Sequence, residues 1–201
     1  MGTIKDKVAI VGMGCTKFGE RWDASPEDLI VEAVKECIED AGIEPKDIQA
    51  AWQGNQFTEV NIGVSGLTLA GALKLPFLPV THVENMCASG SEALRGACYA
   101  VASGVYDIAL ALGVEKLKDV GYGGLPEMAL GAAGKYETLI SPNVTAPGMF
   151  AMMATRYFSR YGLSPEEGKL MLAKVSSKSH HNGTLSEKAH LRREAPVEVI
   201  M

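Results

Sequence analysis

Short apolar runs recur along the first part of the chain. They occupy residues 7–12, 50–54, 80–83 and 108–114. Runs of this length, bounded by glycine or proline, are typical of strands that are covered on both faces of a sheet. We therefore predict four strands, of which the last, 108–114, is almost continuously apolar.

Helical periodicity fills the intervals between these runs. After Ser25, apolar residues recur at helical spacing as far as Gly42. Ser25 suits an N-cap, and Asp28 stands at the position that completes a capping box. Shorter helices are predicted over 63–73 and 88–103. The resulting order, β-α-β-α-β-α-β, predicts an α/β layered fold with a largely parallel sheet.

The pattern changes beyond residue 118. Residues 121–148 are rich in glycine, proline and alanine and show little periodicity. Two helices are then predicted over 149–162 and 165–181, and residues 194–201 have a strand-like pattern. The chain is therefore expected to consist of an α/β part followed by a mainly helical part.

Composition narrows the class of protein without deciding it. The chain has 201 residues, is 47% hydrophobic and 21% charged, and carries a net charge of −5. This balance is that of a globular protein with no general attraction to nucleic acid. No apolar run approaches the roughly 18 residues that cross a bilayer, and the start lacks a secretory signal, so we expect a cytoplasmic protein. A basic excess in residues 151–201 fits either an anionic ligand or a solvated helix face.

One of the four cysteines, Cys87, has a local sequence that favours reactivity. A strand is predicted to end before it and a helix to begin at or just after it, which places its sulfur where unpaired amides favour an anion. The helix dipole contributes about 0.3–1 kcal/mol, so full activation also needs a base near the sulfur. Small residues at 88–90 leave room for a substrate, and the Cys87 N–H suits an oxyanion. A packed, unreactive cysteine is the alternative.

The sequence around Cys87 resembles the nucleophile region of thiolases. The resemblance rests on the segments Cys87-Ala88-Ser89-Gly90, 102–104 and 109–116. Residues 11–19 are similar to the start of the sterol-carrier-type and archaeal-type branch, and residues 147–164 to the insertion that covers its active site. The resemblance implies a thiolase-like layered fold with a mixed sheet, in which 1–118 form the N-terminal core half and 119–201 the inserted cap, while the C-terminal half is absent.

The function implied by the resemblance is acyl transfer. Cys87 would take the acyl group from a 3-oxoacyl-CoA, and free coenzyme A would then accept it; the reverse direction is a Claisen condensation. Met149 matches a position near the acyl pocket, and Lys178 and His180 match a lysine-polar-histidine segment expected to contact substrate. Coenzyme A and acyl-CoA enter as substrates, with no covalently bound cofactor and no metal. The family forms homodimers or tetramers, and this branch often works beside a small zinc-ribbon/OB-fold protein.

Three departures from the thiolase pattern limit what this chain is expected to do alone. Thiolases use a Gly-His-Pro histidine, a second cysteine in a Cys-x-Gly-Gly-type segment and a further histidine or asparagine segment, and none of these occurs here. The chain is therefore expected to be a fragment or one half of a split enzyme. His82, on a predicted strand, is interpreted as a packed or surface residue rather than as the missing base.

Two other functions remain open on the sequence. One is a ketoacyl synthase or hydroxymethylglutaryl-CoA synthase, which also carries a cysteine at a helix start. The other is a non-catalytic subunit that binds acyl-CoA or acts as a scaffold, and it would form no acyl-Cys87 intermediate.

Overall fold

The computed structural model of the chain describes residues 3–56, 62–63, 65–117 and 146–201. These residues form two compact units. The first contains residues 3–16 and 21–117, and the second contains residues 17–20 and 146–201. Among the helices of the described ranges, none combines the length and the apolar character that a membrane span requires.

The first unit alternates helices and strands in the predicted order. Its regular elements are α1 (Pro26–Ala41), β1 (Ala50–Gly54), α2 (Leu67–Ala72), β2 (Val80–Val83), α3 (Ser89–Ala102) and β3 (Ala109–Gly113), with 3₁₀ turns at Pro45–Asp47 and Met86–Ala88. The capping box predicted for α1 is present, and Gly42 ends the helix with φ 67°, a left-handed conformation that glycine adopts at low cost. The predicted helices over 63–73 and 88–103 are confirmed with shorter bounds.

In the residues that the structure describes, the sheet has three parallel strands in the order β2-β1-β3. In the register of β1 with β2, Gln53 lies opposite His82 and Gly54 opposite Val83. In the register with β3, Gly54 lies opposite Gly113. All three strands therefore end at one edge of the sheet, and the chain leaves β2 at that edge towards Cys87. The predicted α/β fold and three of its four strands are confirmed.

The two faces of the sheet are covered by different helices. The core of the unit lies on the face of Ala51, under α1 and α2, and is formed by Ile30, Val34, Ile48, Ala51, Ile62, Leu69, Leu110, Leu112 and Val114. Since successive strand residues point to opposite faces, Trp52 lies on the other side, against α3. A Cβ added to Gly96 of α3 would lie 2.5 Å from the Trp52 ring, so only glycine permits this close helix-to-sheet contact.

The strand predicted over residues 7–12 does not form. Ile10 and Val11 are exposed, and the chain here runs along α1 instead of joining the sheet. The N–H of Met13 donates to the Asp40 carboxylate at 2.9 Å and that of Cys15 to Glu36 at 2.8 Å. These carboxylates, one helical turn apart on α1, accept N–H groups that a neighbouring strand would otherwise accept. The prediction was wrong because an apolar run identifies a strand only when a partner strand is available.

The second unit is helical. It contains α4 (Ala146–Tyr161), α5 (Pro165–Leu185) and α6 (Val197–Ile200). The two longer helices confirm the predictions over 149–162 and 165–181. Residues 197–200, predicted to be strand-like, form a helical turn instead. Pro196 stands at the N-cap and its carbonyl accepts N–H groups of the turn, so a local backbone bond replaces the pairing that a strand would need.

The turn between α4 and α5 brings these helices together. Gly162 adopts φ 66°, and Ser164 and Glu167 form a capping box at the start of α5. A Cβ on Gly168 would lie 2.5 Å from the Phe158 ring, so the absence of a side chain lets α5 contact α4 closely. The backbone and side-chain hydrogen bonds from Ser164 hold the pKa of the Glu167 carboxyl below its ordinary value.

Candidate functional site

Cys87 lies in the 3₁₀ turn Met86–Ala88, directly before α3, and it is exposed. The fourteen-residue helix α3 begins directly after this turn, and its first amide, the Ser89 N–H, donates to the Met86 carbonyl. Cys87 is therefore at the surface, at a helix N-terminus and at the edge where the parallel strands end. A cysteine so placed has the access that a nucleophile requires.

The side chain of Ser89 stabilises the turn that contains Cys87. It is 5% exposed, and its hydroxyl accepts the Asn85 N–H at 2.9 Å while donating to the Met86 carbonyl at 2.7 Å. The Ala88 N–H adds a backbone bond to the Asn85 carbonyl at 2.9 Å. One buried hydroxyl thus satisfies a donor on one side of Cys87 and an acceptor beside it. From the sequence, Ser89 was interpreted only as a small residue. The hydrogen bonds of its hydroxyl to Asn85 and Met86 were not predicted.

The residue before Cys87 has an unusual backbone conformation. Met86 adopts φ 48°, in the left-handed region, at a cost of about 1–2 kcal/mol for a residue with a side chain. The Glu84 carboxylate accepts the Met86 N–H, and the Ser89 hydroxyl donates to its carbonyl. With about 1 kcal/mol for a typical hydrogen bond, these contacts offset the cost. The strained conformation turns the chain between β2 and α3 at the point where Cys87 stands.

Two glycines allow the start of α3 to lie against the strand ends. A Cβ added to Gly54 would stand 2.5 Å from the Ser89 carbonyl oxygen, and one added to Gly113 would stand 4.0 Å from the Gly90 Cα. Gly54 ends β1 and Gly113 ends β3. The backbone of the cysteine turn is therefore seated directly on the sheet.

A buried polar cluster lies beneath the same edge of the sheet. Gln53 and Asn55 are 0% and 2% exposed, and the Gln53 Nε2 donates to the Asn55 Oδ1 at 3.0 Å. The His82 Nε2 lies 3.0 Å from that same oxygen. Among the residues that the structure describes, the Gln53 Oε1 and Asn55 Nδ2 have no hydrogen-bond partner. An unmet buried group of this kind costs about 1–3 kcal/mol.

Of this cluster, only His82 was interpreted from the sequence. His82 lies on a strand and is half-buried, in agreement with its interpretation as a packed residue. Two amides at alternate positions of an otherwise apolar stretch, 50–55, were the available signal for the rest. Their contact with His82 depends on the pairing of β1 with β2, which the sequence does not state.

The predicted substrate-binding residues lie in the second unit. Met149 is half-buried on α4, whereas Lys178 is exposed on α5. The His180 Nδ1 lies 3.0 Å from the Arg193 carbonyl oxygen, so its ring is held to the segment that follows α5. Residues two apart on a helix do not share a face, so Lys178 and His180 point in different directions. Their roles stay predictions.

The ionisable side chains of the described ranges include no group of three or more that suits a metal ion.

The thiols differ in their surroundings. Burial, with smaller effects from Asp40 and Glu36, raises the pKa of the Cys37 thiol. Cys37 therefore has a smaller thiolate fraction near neutral pH than an ordinary thiol, which makes it an internal reference for Cys87.

Comparison with known proteins decides the family. Residues 8–201 match the family model described as "Thiolase, N-terminal domain". The chain belongs to the thiolase family. An acetyl-CoA acetyltransferase of Methanothermobacter thermautotrophicus is 40% identical over 196 residues, which are 96% of this chain and 49% of that protein. One of Methanocaldococcus jannaschii is 39% identical over 96% of this chain and 48% of that protein.

A solved structure agrees with the thiolase fold. The structure named "Ltp2-ChsH2(DUF35) aldolase" superposes with a TM-score of 0.73, at 24% identity, over 94% of this chain and 47% of the other. At that identity the likeness concerns the fold alone. The thiolase chain spans about half the length of the curated relatives that it matches.

Proposed function

We propose that this chain is the nucleophile-bearing part of a thiolase-type acyltransferase, and that Cys87 carries the acyl group. The observation that carries the proposal is the position of Cys87, exposed at the start of α3. It stands at that place within a sequence that matches the thiolase N-terminal domain. The acetyl-CoA acetyltransferase names of its relatives support acyl-CoA as the substrate class.

The reaction proceeds in two steps. The Cys87 thiolate attacks the C3 carbonyl of a 3-oxoacyl-CoA, so the sulfur–C3 bond forms and the C2–C3 bond breaks. The electron pair left on C2 takes a proton, which releases acetyl-CoA and leaves the remaining acyl group on Cys87. The thiolate of a second coenzyme A then attacks this thioester and frees the cysteine. In the opposite direction the same steps join two acyl units.

The turn around Cys87 suits the charge changes of these steps. In the proposed reaction, the dipole of α3 favours the thiolate, and the Cys87 N–H donates to the oxygen that becomes negative during attack. The bonds to Ser89 and Glu84 fix the turn before substrate arrives, so little reorganisation is needed when it binds.

The remaining catalytic groups belong to the other half of the enzyme. The Gly-His-Pro histidine and the second cysteine of thiolases do not occur in this sequence, so a further segment supplies the base and the acid. Residues 119–201 act as the cap of the site, with Met149, Lys178 and His180 contacting acyl-CoA. The enzyme is a cytoplasmic homodimer or tetramer. A zinc-ribbon/OB-fold protein is its partner, and the two joined names of the aldolase structure are in line with a partner protein.

Mass spectrometry tests the proposed acyl enzyme directly. The protein is assembled with the other thiolase half, incubated with acetyl-CoA or acetoacetyl-CoA, and digested. The masses of the cysteine-containing peptides are then measured. We expect one acetyl group on Cys87, absent in Cys87→Ser and retained in Cys15→Ser. Cys15 is the matched control because it too is an exposed thiol.

The alternatives give different outcomes. A non-catalytic subunit would leave every cysteine unmodified while still binding coenzyme A. A ketoacyl synthase or hydroxymethylglutaryl-CoA synthase would form the same adduct but would turn over a different second substrate. An acetyl group on Cys15 or Cys98, with Cys87 unmodified, would overturn the assignment of the nucleophile.

A further inference from the structure

The amide pair of Gln53 and Asn55 is not what the core around it requires. On the same face of the sheet, the core positions are occupied by Ala51, Leu110 and Leu112. A leucine at position 53 would extend this apolar surface without any unmet hydrogen bond. Instead, both amides are buried, and each has one polar atom without a partner in the part of the chain that the structure describes. A buried polar group that costs stability and serves no evident folding purpose points to a functional constraint.

The contacts of the pair show what it holds. The Asn55 Oδ1 accepts from Gln53, an arrangement that makes this oxygen the acceptor for His82 as well, so the His82 Nε2 carries a proton. His82 lies in β2, five residues before Cys87, and within the described ranges β2 is paired with strand β1 alone. The hydrogen bond between Asn55 and His82 therefore holds β2 in place just before the turn that contains Cys87.

The end of β1 also contacts the turn from the opposite face of the sheet. Gly54, between the two amides, touches the backbone of Ser89 at the start of α3. Asn55 holds His82 on one face of the sheet while Gly54 meets Ser89 on the other. A displacement of this strand end would therefore move both β2, before the turn that carries Cys87, and the start of α3, after it.

We propose that Gln53 and Asn55 are positioning residues, which act through His82 and β2 to hold Cys87 in its reactive geometry. The pair touches neither sulfur nor substrate, and it forms no bond in the reaction. The proposal rests on the proposed role of Cys87 as the acyl carrier.

The test separates rate from stability. In Q53L/N55L, both amides are replaced by apolar side chains of similar size, so the unmet hydrogen bonds disappear. We expect an unchanged or higher melting temperature, together with an acetylation rate of Cys87 lowered about tenfold, because small displacements of a reacting group slow a reaction strongly. H82L, which leaves both amides in place, should lower the rate in the same way. A purely structural pair would instead lower the melting temperature and leave the rate per folded molecule unchanged.

A second readout does not depend on acyl transfer. Iodoacetamide alkylation of Cys87, followed by mass spectrometry across a range of pH, reports how the turn presents the thiolate. In Q53L/N55L this pH profile should shift or fall in amplitude, whereas that of Cys37 should stay as it is. If wild-type Cys87 is not acetylated but its alkylation profile still changes, the proposed function fails and the positioning role stands.

Gln49 offers the matched control. It stands just before β1, at the opposite edge of the sheet, and its Oε1 accepts the N–H groups of Asp107 and Ile108. Q49L removes an amide that is hydrogen-bonded to the backbone, so we expect a lower melting temperature with an unchanged alkylation profile of Cys87. Equal rates in wild type and Q53L/N55L, by either readout, would overturn the proposal.

Discussion

Gly54 touches Ser89 so closely that a Cβ added to the glycine would stand 2.5 Å from the Ser89 carbonyl oxygen. Real Cβ atoms do not approach backbone oxygens to this distance, and neither of these two backbone segments can move freely. Gly54 is fixed by the strands on both sides of β1, and Ser89 by its hydrogen bonds within the turn. The contact therefore sets the height of the cysteine turn above the sheet.

Gly54→Ala tests whether this height matters for reactivity. The added methyl group must push the start of α3 away, so we expect a loss of stability of about 1–3 kcal/mol, as for other overpacked sites. Acetylation of Cys87 should slow about tenfold or more. Gly71→Ala is the control, because its Cβ would meet nothing within 4 Å on helix α2. That variant should be slightly more stable and equally reactive; equal acetylation rates for the two variants would contradict the prediction.

The parts of the fold that the sequence predicted are those fixed by local chemistry. Helix α1 starts at Ser25 and stops at Gly42 because the cap and the left-handed glycine act on their own neighbours. The strand predicted over residues 7–12 was wrong, since whether an apolar run becomes a strand depends on the availability of a free edge strand elsewhere in the chain. The carboxylates of Glu36 and Asp40 accept the backbone N–H groups of Cys15 and Met13, respectively, just after that run.

The candidate site divides in the same way. A helix start at or just after Cys87 was predicted from the sequence, and α3 begins at Ser89. The bonds of Ser89 to its turn, and of Asn55 to His82, were not, because they depend on a left-handed residue and on the strand register. Side-chain hydrogen bonds across paired strands leave no periodic signal in a sequence.

Ser89→Ala should show that the hydroxyl, rather than small size, is what the turn needs. The change removes the acceptor of the part-buried Asn85 N–H and one of the two donors to the Met86 carbonyl, so we expect a loss of about 1–2 kcal/mol in unfolding free energy. Alkylation of Cys87 should also change, since the turn is no longer braced. Urea unfolding and iodoacetamide labelling measure the two effects.

Ser91→Ala is the comparison for this variant. Ser91 is an exposed residue of the same helix, and its replacement should alter stability by less than about 0.5 kcal/mol. Should the Ser89 variant behave like the Ser91 variant, the hydroxyl is not bracing the turn.

Lys116 fastens the chain after β3 to the turn that precedes α1. Its ammonium donates to the Arg21 carbonyl at 2.7 Å and also to the Ala24 carbonyl, from a partly buried position. Lys116→Met keeps the length of the side chain and removes both charged hydrogen bonds, so a loss of about 2–3 kcal/mol is expected. Lys46→Met, at an exposed position, should be nearly neutral. Thermal unfolding of both variants decides, and a similar melting temperature for the two would exclude this role of Lys116.

Glu167 gives the second unit a predictable dependence on pH. Hydrogen bonds from the Ser164 backbone N–H, and then from its hydroxyl, hold the pKa of the Glu167 carboxyl below its ordinary value, so the folded state favours the carboxylate. The stabilisation is present above the pKa of the unfolded chain and is lost as the pH falls through the folded pKa. Glu167→Gln keeps a capping side chain but cannot titrate, so unfolding free energy should fall less steeply between roughly pH 5 and 3 than in wild type. A Glu167→Gln slope equal to wild type would mean that the capping box contributes nothing to acid sensitivity.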